Sequence, residues 1–202
     1  MNPAYRMGRN FFKGILSSLF KVNVIGAEKF PQEEGLVVCC NHISNWDPML
    51  LGSFCPRKVR YMAKDELFRI PIVSSLLLSW GAFPVKRGAG DRAAIRTSLE
   101  IAQGGDVLGI FPEGTRSKTG KLGKALPGGA MIALRSGVRV VPVAIVGPYR
   151  LFRPLNIIYG EAIDLKELAG GKGNTALAAE IIMNEIQKLI DGFQSGSQRF
   201  KH

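Results

Sequence analysis

A run of five apolar residues that ends in a polar turn is the feature that most limits how this chain can fold. Residues 36–40 (LVVCC) are apolar at every position, which predicts a short buried strand. The turn 41–47 follows, and residues 48–51 then predict the start of a helix. Because strands and helices continue to alternate along the chain, we predict a single layered α/β domain with a mixed β-sheet flanked by helices.

The length of the chain also fits one domain. A chain of 202 residues can bury a sizeable core, and no internal repeat or interdomain linker divides it. Within it we expect an N-terminal basic amphipathic helix at the membrane interface over residues 1–21. The α/β domain should cover residues 22–193, and residues 194–202 should form a loose C-terminal tail.

The charge balance points to an anionic partner. Lys and Arg number 27 against 16 acidic residues, so the formal charge is +11. That excess suits nucleic acid, anionic lipid or a phosphorylated substrate. However, the aromatic residues do not alternate with basic ones, and helix-turn-helix and zinc-finger spacings are absent. We therefore expect lipid or phosphate as the partner and no nucleic acid.

The cysteines indicate the redox environment. Cys39, Cys40 and Cys55 are odd in number and lie in apolar stretches. This pattern is typical of reduced thiols in a cytosolic protein rather than of a disulfide framework. No metal-ligand spacing accompanies them.

The N-terminal stretch 5–21 has two faces at helical spacing. One face is polar and basic, with Arg6, Arg9, Asn10, Lys13, Ser17 and Lys21. The other is apolar, with Tyr5, Phe12, Ile15, Leu16, Leu19 and Phe20. The stretch is too short and too charged to span a bilayer, and it lacks a signal-peptide cleavage site. We favour a helix lying in a membrane interface; the alternative is a helix packed on its own domain.

A second apolar stretch, residues 70–83, contains no charged side chain. It is too short to cross a membrane. We favour a core helix. The alternatives are the wall of a slot for a fatty acyl chain, or a surface that dips into lipid.

The turn 41–47 carries the candidate catalytic pair. His42 stands where the strand ends and Asp47 where the helix begins, so the turn can set the carboxylate beside the imidazole. That pair would make a general base. In the alternative, Asp47 only caps the helix, together with Ser44 in a capping box. The chain has two histidines and His202 is the last residue, so acid–base chemistry near neutral pH falls to His42.

A second strand-to-loop junction, residues 111–117, offers groups suited to an anion. Arg116 presents a planar fork that fits phosphate oxygens, and Thr115 adds a hydroxyl. Gly114 permits an unusual backbone angle, and Glu113 could pair with an arginine or accept a hydrogen bond from a ligand hydroxyl. Arg87, after another extended segment, is a further candidate for an anion site.

Two further features concern the loop and strand that follow. Residues 118–124 (KTGKLGK) are basic and glycine-rich, which predicts a mobile loop, and their spacing does not match a Walker A loop. Pro142 lies inside the predicted strand 138–146 and indicates either an edge position or a bulge.

Four of these stretches together resemble the motifs of the glycerolipid acyltransferase family. They are NHISNWD at 41–47, GAFPVKR at 81–87, FPEGTR at 111–116 and VPVA at 141–144. The second carries Pro84 where a β-branched residue is usual. The order is most similar to that of the bacterial 1-acyl-sn-glycerol-3-phosphate acyltransferases, also called lysophosphatidic acid acyltransferases.

The resemblance implies transfer of an acyl group from acyl-CoA or acyl carrier protein to the 2-hydroxyl of lysophosphatidate. His42 would be the general base and Asp47 its orienting partner. Arg87 and Arg116 would hold the phosphate, in a pocket that Glu113, Gly114 and Thr115 help to shape. No metal or bound cofactor is implied, and the protein would work as a peripheral or monotopic protein at the cytoplasmic face of the membrane.

Three alternatives stay open at this point. Cys40 could form an acyl-enzyme. The chain could be a non-catalytic, basic module that binds phosphatidate-like lipid at a membrane. The acceptor could instead be glycerol 3-phosphate or another lysophospholipid.

Overall fold

The computed structural model describes residues 3–86, 91–171 and 173–199. In chain order its main elements are α1 (Pro3–Leu19), β1 (Lys21–Ile25), β2 (Leu36–Cys40), α2 (Asp47–Phe54), β3 (Val59–Lys64), α3 (Pro71–Ser79), β4 (Phe83–Val85), α4 (Arg92–Gln103), β5 (Val107–Ile110), α5 (Pro127–Ser136), β6 (Arg139–Val146), β7 (Pro154–Tyr159), α6 (Leu165–Leu168) and α7 (Thr175–Arg199). Short 3₁₀ helices cover Ala27–Lys29 and Asp65–Arg69.

The strands form a mixed sheet, as predicted. Their order is β1-β7-β6-β2-β5-β3-β4. The pair β6–β7 is antiparallel and the other neighbours are parallel. The carboxyl ends of β6, β2 and β5 therefore meet at one edge of the sheet, where ligand-binding loops gather in α/β folds.

The central strand β2 explains why the sheet needs helices on both sides. Its side chains alternate between two cores, as strand geometry requires. Val37 and Cys39 pack in a cluster with residues of α4, α5 and α7, whereas Val38 and Cys40 pack in a cluster that includes Leu16 of α1 and residues of α2. Burial of each large apolar side chain of this kind contributes about 1.5–3 kcal/mol.

Helix α1 is amphipathic, but its apolar face covers the sheet. Tyr5, Leu16 and Phe20 are buried. Arg9, expected on the polar face, donates to the carbonyls of Ser53 (3.0 Å) and Cys55 (2.8 Å) at the end of α2. We predicted that the apolar face of this helix would contact a membrane. In the structure that face packs against the domain, as in the alternative considered above. The expected division at residue 21 does not separate two packing units.

Helix α3 is on the surface, so the prediction of a core helix over residues 70–83 is wrong. Ile72 is 85% exposed, Leu78 is 59% exposed and Ile70 is 50% exposed. The reason is its position: α3 joins β3 to β4, the last two strands of the sheet, where little structure lies beyond it. Among the residues that the model describes, no helix has the length and apolar character needed to cross a membrane.

The position of Pro142 differs in part from the prediction. Strand β6 is interior, because it lies between β7 and β2. However, Val143 pairs with Tyr159 while Val140 pairs with Ile163. These two pairs are three positions apart along β6 but four positions apart along the neighbouring segment. The extra residue therefore lies in the neighbouring segment, so the bulge is opposite Pro142 and not in its own strand.

The expected loose tail is also helical in its first part. Helix α7 continues without a break from Thr175 to Arg199. Gly192 and Gly196 lower the helix propensity of this end. Extending an existing helix by a turn nevertheless costs much less than starting one, since nucleation has already occurred.

Candidate active site

Asn41 begins the candidate site by closing the end of the central strand. Its side chain donates to the carbonyl of Ile145 at 3.0 Å and accepts the amide of the same residue at 2.7 Å. Asn41 is 2% exposed. These two bonds fasten the end of β2 to β6 and direct the next residue, His42, to the carboxyl edge of the sheet. From the sequence we assigned Asn41 no role of its own.

His42 and Asp47 form the predicted pair. His42 Nδ1 lies 2.7 Å from Asp47 Oδ2. The Asp47 side chain is fully buried, whereas that of His42 is 15% exposed. Since the Asp47 carboxylate accepts a hydrogen bond from Nδ1–H, the other ring nitrogen, Nε2, is unprotonated and can act as a base.

The carboxylate of Asp47 serves the turn and not the following helix. Its Oδ2 also accepts the amides of Ile43 (2.6 Å) and Ser44 (2.7 Å), both of which precede it in the chain. The N-cap residue of α2 is Trp46, and no side chain caps this helix. The alternative of a simple helix cap with Ser44 is therefore wrong for Asp47.

Tyr149, which the sequence analysis missed, holds the second oxygen of that carboxylate. Its hydroxyl donates to Asp47 Oδ1 at 2.6 Å. Burial, together with the nearby carboxylate, raises the pKa of Tyr149 far above its usual value, so the phenol stays protonated and remains a donor. The available signal was its place just after the predicted strand 138–146, at the sheet edge where polar loops gather.

The ring and backbone of His42 are held by the 111–117 junction. The Phe111 ring stacks on the imidazole, with centroids 4.4 Å apart. His42 donates its amide to Glu113 Oε1 (2.8 Å), and its carbonyl accepts the amide of Ser117 (2.7 Å). The first and third sequence motifs therefore form one hydrogen-bonded unit.

Glu113 bridges two backbone segments. Its second oxygen, Oε2, accepts the amide of Gly123 at 2.8 Å, and the residue is 5% exposed. We expected Glu113 to pair with an arginine or to accept a bond from a ligand hydroxyl. In the structure each of its oxygens accepts a backbone amide instead.

Gly114 meets a conformational requirement for glycine. Its φ is 67°, and an added Cβ would also displace the exposed end of the Leu126 side chain. Its amide donates to the carbonyl of Phe111 at 2.9 Å. That amide is therefore already engaged and is a poor donor for an oxyanion.

Thr115 and Arg116 lie on the surface beside this unit. Both are exposed, and Arg116 makes no ion pair within the part of the chain that the structure describes. Because Ser117 bonds to the His42 carbonyl, the backbone of Arg116 is held next to the 41–47 turn. Arg87 lies outside the described residues.

The basic loop over residues 118–124 has defined internal contacts. The Ser117 hydroxyl donates to the carbonyl of Lys121 at 2.6 Å, and Glu113 holds Gly123 as described. Lys118, Lys121 and Lys124 are exposed. The loop that we predicted to be mobile is thus fixed in this structure at two points, with its lysines facing solvent.

The thiols lie in the interior. Cys40 is fully buried, and burial raises its pKa well above the usual value, with a further rise from the charge of Asp47. Burial also raises the pKa of Cys39 to about 12 and that of Cys55 to about 11. A buried, protonated Cys40 is a poor nucleophile, which argues against an acyl-cysteine intermediate. In residues 3–86, 91–171 and 173–199, no three His, Cys, Asp or Glu side chains are grouped to hold a metal.

Comparison with known proteins places this geometry in a family. The model of the family described as Acyltransferase matches residues 21–146. The 1-acyl-sn-glycerol-3-phosphate acyltransferase of Bacillus subtilis (strain 168) is 34% identical over 92% of this chain and 96% of its own length. The chloroplastic 1-acyl-sn-glycerol-3-phosphate acyltransferase LPAT1 of Arabidopsis thaliana is 32% identical over 72% of this chain and 43% of its own length.

A solved structure has the same fold. The crystal structure of the 1-acyl-sn-glycerophosphate (LPA) acyltransferase PlsC from Thermotoga maritima superposes with a TM-score of 0.71. It is 26% identical in sequence and covers 92% of this chain and 78% of its own. With the matched family model and the Bacillus relative, it agrees with the resemblance noted from the motifs: the chain belongs to the acyltransferase family.

Proposed function

We propose that the protein transfers a fatty acyl group from acyl-CoA or acyl carrier protein to the sn-2 hydroxyl of 1-acyl-sn-glycerol-3-phosphate, which gives phosphatidate. The relatives that carry this activity in their names support the proposal. The observation that carries it is the pair of His42 and the buried Asp47, whose Nδ1 and Oδ2 atoms are 2.7 Å apart.

The proposed chemistry is general-base catalysis by His42. Nε2 takes the proton of the acceptor hydroxyl while the oxygen attacks the thioester carbonyl carbon. The C–S bond then breaks, and the imidazolium gives the proton to the departing thiolate. Asp47 stabilises the imidazolium between these two steps and keeps the ring in the required tautomer. The steps use only these side chains and the thioester donor.

The acceptor phosphate is proposed to bind on the exposed side of the same unit. Arg116 is solvent-facing, its backbone is fixed beside His42, and a guanidinium binds phosphate oxygens through two parallel bonds. Thr115 adds a hydroxyl donor. Glu113 and Gly114 shape this side of the pocket through the contacts described above. Arg87 stays a candidate second phosphate ligand on the basis of its motif.

The decisive experiment is an acyl-transfer assay on wild type and His42→Ala. Lysophosphatidate and glycerol 3-phosphate should each be offered with acyl-CoA and with acyl carrier protein as donor. We expect phosphatidate from lysophosphatidate in the wild type and a loss of about 10³- to 10⁴-fold in kcat in the variant. Turnover of glycerol 3-phosphate alone would assign the other acceptor. Lipid binding without any turnover would identify a non-catalytic module.

We also propose that the protein works at the cytoplasmic face of an anionic membrane. Exposed apolar side chains on α1 and around α3, which we call the apolar patch, support this: Met7, Phe11, Ile70, Ile72 and Leu78. Trp80, which ends α3, packs edge-on against Phe12 of α1 at 4.8 Å, so the two helices of the patch adjoin. Exposed Arg6 and Lys13 on α1 complement anionic lipid headgroups.

Co-sedimentation with phosphatidylglycerol-containing vesicles tests the patch. The double substitution Ile72→Asp and Leu78→Asp should weaken vesicle binding more than tenfold, since each side chain loses about 1.5–3 kcal/mol of burial in lipid. Leu168→Asp is the matched control, because Leu168 is 53% exposed on α6, away from the patch. The proposal would be contradicted if the double substitution and Leu168→Asp weakened vesicle binding equally, or if neither weakened it. Deletion of residues 1–21 is a poor test, because α1 contributes to the core.

A further inference from the structure

The Asp47 carboxylate is held from two separate parts of the chain. Its Oδ2 belongs to the catalytic turn, where it accepts bonds from His42, Ile43 and Ser44. Its Oδ1 accepts the hydroxyl of Tyr149 at 2.6 Å, across a separation of 102 residues. Both the length of this bond and the burial of Asp47 are typical of a strong, charge-assisted hydrogen bond.

Contacts with the junction of α1 and β1 also hold Tyr149 in place. The Phe20 ring contacts the phenol edge-on, with centroids 5.5 Å apart. Beyond Tyr149, Phe152 donates its amide to the carbonyl of Leu19 (2.7 Å), and Arg153 accepts the amide of Lys21 (3.0 Å). The loop after β6 is therefore fastened to the junction of α1 and β1.

We propose that Tyr149 is a positioning residue that acts on His42 through Asp47, with Phe20 as its support. By holding Oδ1, the phenol fixes the plane of the carboxylate so that Oδ2 faces His42 Nδ1. It also withdraws part of the negative charge from the oxygen that stabilises the imidazolium. Tyr149 and Phe20 both lie outside residues 21–146, which the family model matches. This inference rests on the proposed function for its kinetic consequences.

The groups around the phenol show how its removal reaches His42. The ionisable groups that act on the Tyr149 hydroxyl are Asp47, which accepts its hydrogen bond, and the Cys40 thiol. Removal of the hydroxyl leaves more negative charge on the carboxylate that faces His42, which changes the hydrogen bond between Asp47 Oδ2 and His42 Nδ1.

The test is Tyr149→Phe, which keeps the ring against Phe20 and removes only the hydroxyl. We expect kcat to fall on the order of tenfold with both KM values unchanged, because a hydrogen bond to a charged group is lost. Tyr159→Phe is the matched control. Tyr159 is also buried, and among the described residues its hydroxyl makes no hydrogen bond to the 41–47 turn. Thermal melts of both variants separate loss of fold from loss of rate.

A double-mutant cycle distinguishes positioning from general support. In the Asp47→Asn background, Tyr149→Phe should cause no further loss of kcat, since the carboxylate through which it acts is absent. An equal loss in both backgrounds would overturn the proposal. So would a Tyr149→Phe enzyme with the kcat of the wild type.

A spectroscopic measurement keeps the inference independent of the substrate assignment. The chain has two histidines, so the ring signals of His42 can be identified by comparison with His42→Gln. We expect the signal of the hydrogen-bonded Nδ1 proton of His42 to shift in Tyr149→Phe and to stay in place in Tyr159→Phe. If this shift occurs while lysophosphatidate is not acylated, the proposed function fails and the positioning role stands. An unshifted Nδ1 proton signal overturns the positioning role.

Discussion

The turn that carries His42 and the loop that carries Arg116 are neighbours built in opposite ways. In the turn, Asp47 is fully buried and each oxygen of its carboxylate accepts a hydrogen bond. In the loop, Arg116 and the three following lysines face solvent, and within the described part of the chain they form no ion pair. The difference teaches that the proposed base is preorganised, whereas the proposed anion-binding side is open. Changes in the turn should lower kcat, and changes in the loop should raise KM.

The largest expected effect is in the turn. Asp47→Asn should lower kcat by about 10³- to 10⁴-fold with little change in KM. The asparagine side chain is neutral. Its NH2 group would face groups that now donate hydrogen bonds to the Asp47 carboxylate, so donor would meet donor. Steady-state kinetics with circular dichroism as the folding control will check this. A folded variant whose only defect is a raised KM would remove the distinction between the two regions.

Glu113→Gln tests the link between the regions. The amide can accept only one of the two backbone amides, of His42 and Gly123, that the carboxylate now accepts. Since a buried unsatisfied donor costs about 1–3 kcal/mol, we expect a lower melting temperature and a loss of kcat on the order of tenfold. The exposed Glu28→Gln serves as control. A melting temperature equal to that of the wild type would show that the bridge contributes nothing.

In the loop, Arg116→Ala should raise the KM for lysophosphatidate about 10- to 100-fold, because a charge-assisted contact to phosphate is lost. The kcat should change little, and Arg116→Lys should recover part of the affinity. Arg96→Ala, which removes an exposed cation on α4, is the control. An unchanged KM in Arg116→Ala would refute the phosphate-binding role.

A smaller effect is expected from the lysines. Changing Lys118, Lys121 and Lys124 together to Ala should raise the KM for the acyl donor only a few-fold, since exposed charges each contribute less than about 1 kcal/mol. The difference from wild type should shrink at high salt, where such charges are screened. A difference that is independent of salt would mean that the lysines act through the structure of the loop.

The smallest effect concerns the thiols. The pKa of Cys55 is raised to about 11 and that of Cys39 to about 12, and burial also raises the pKa of Cys40. At pH 8, below these values, almost no thiolate is present, so iodoacetamide should leave activity unchanged. Reactivity can appear only as the pH rises toward these pKa values. Rapid inactivation at pH 8, prevented by Cys40→Ser, would revive the covalent route.

Local patterns predicted the central part of the molecule well. Strand β2 begins and ends at the predicted residues, and helix α2 begins at Asp47 as predicted. The apolar run and the proline at the first turn of the helix are sufficient to set them. The pairing of His42 with Asp47 followed because only five positions separate the two residues, so one short turn decides their contact.

The rest depends on sheet order, which local patterns do not contain. The bond from His42 to Glu113 spans 71 residues and that from Tyr149 to Asp47 spans 102 residues. The same limit applies to the helices. Periodicity showed that α1 has an apolar face, and composition showed that residues 70–83 are apolar. Neither pattern states whether the domain covers that apolar surface. In the structure the domain covers the apolar face of α1 and leaves α3 exposed, and each outcome is the opposite of the prediction.

The double clamp on the backbone of His42 has a consequence for protein engineering. Its amide and its carbonyl are both bonded to the 113–117 segment. If the seven-residue turn alone were grafted onto another α/β scaffold, this amide and carbonyl would lose their hydrogen-bond partners. The orientation of the imidazole would then no longer be fixed. A graft that keeps this geometry must therefore include residues 41–47 and 111–117. The host must place them at the ends of two adjacent parallel strands, as β2 and β5 do here.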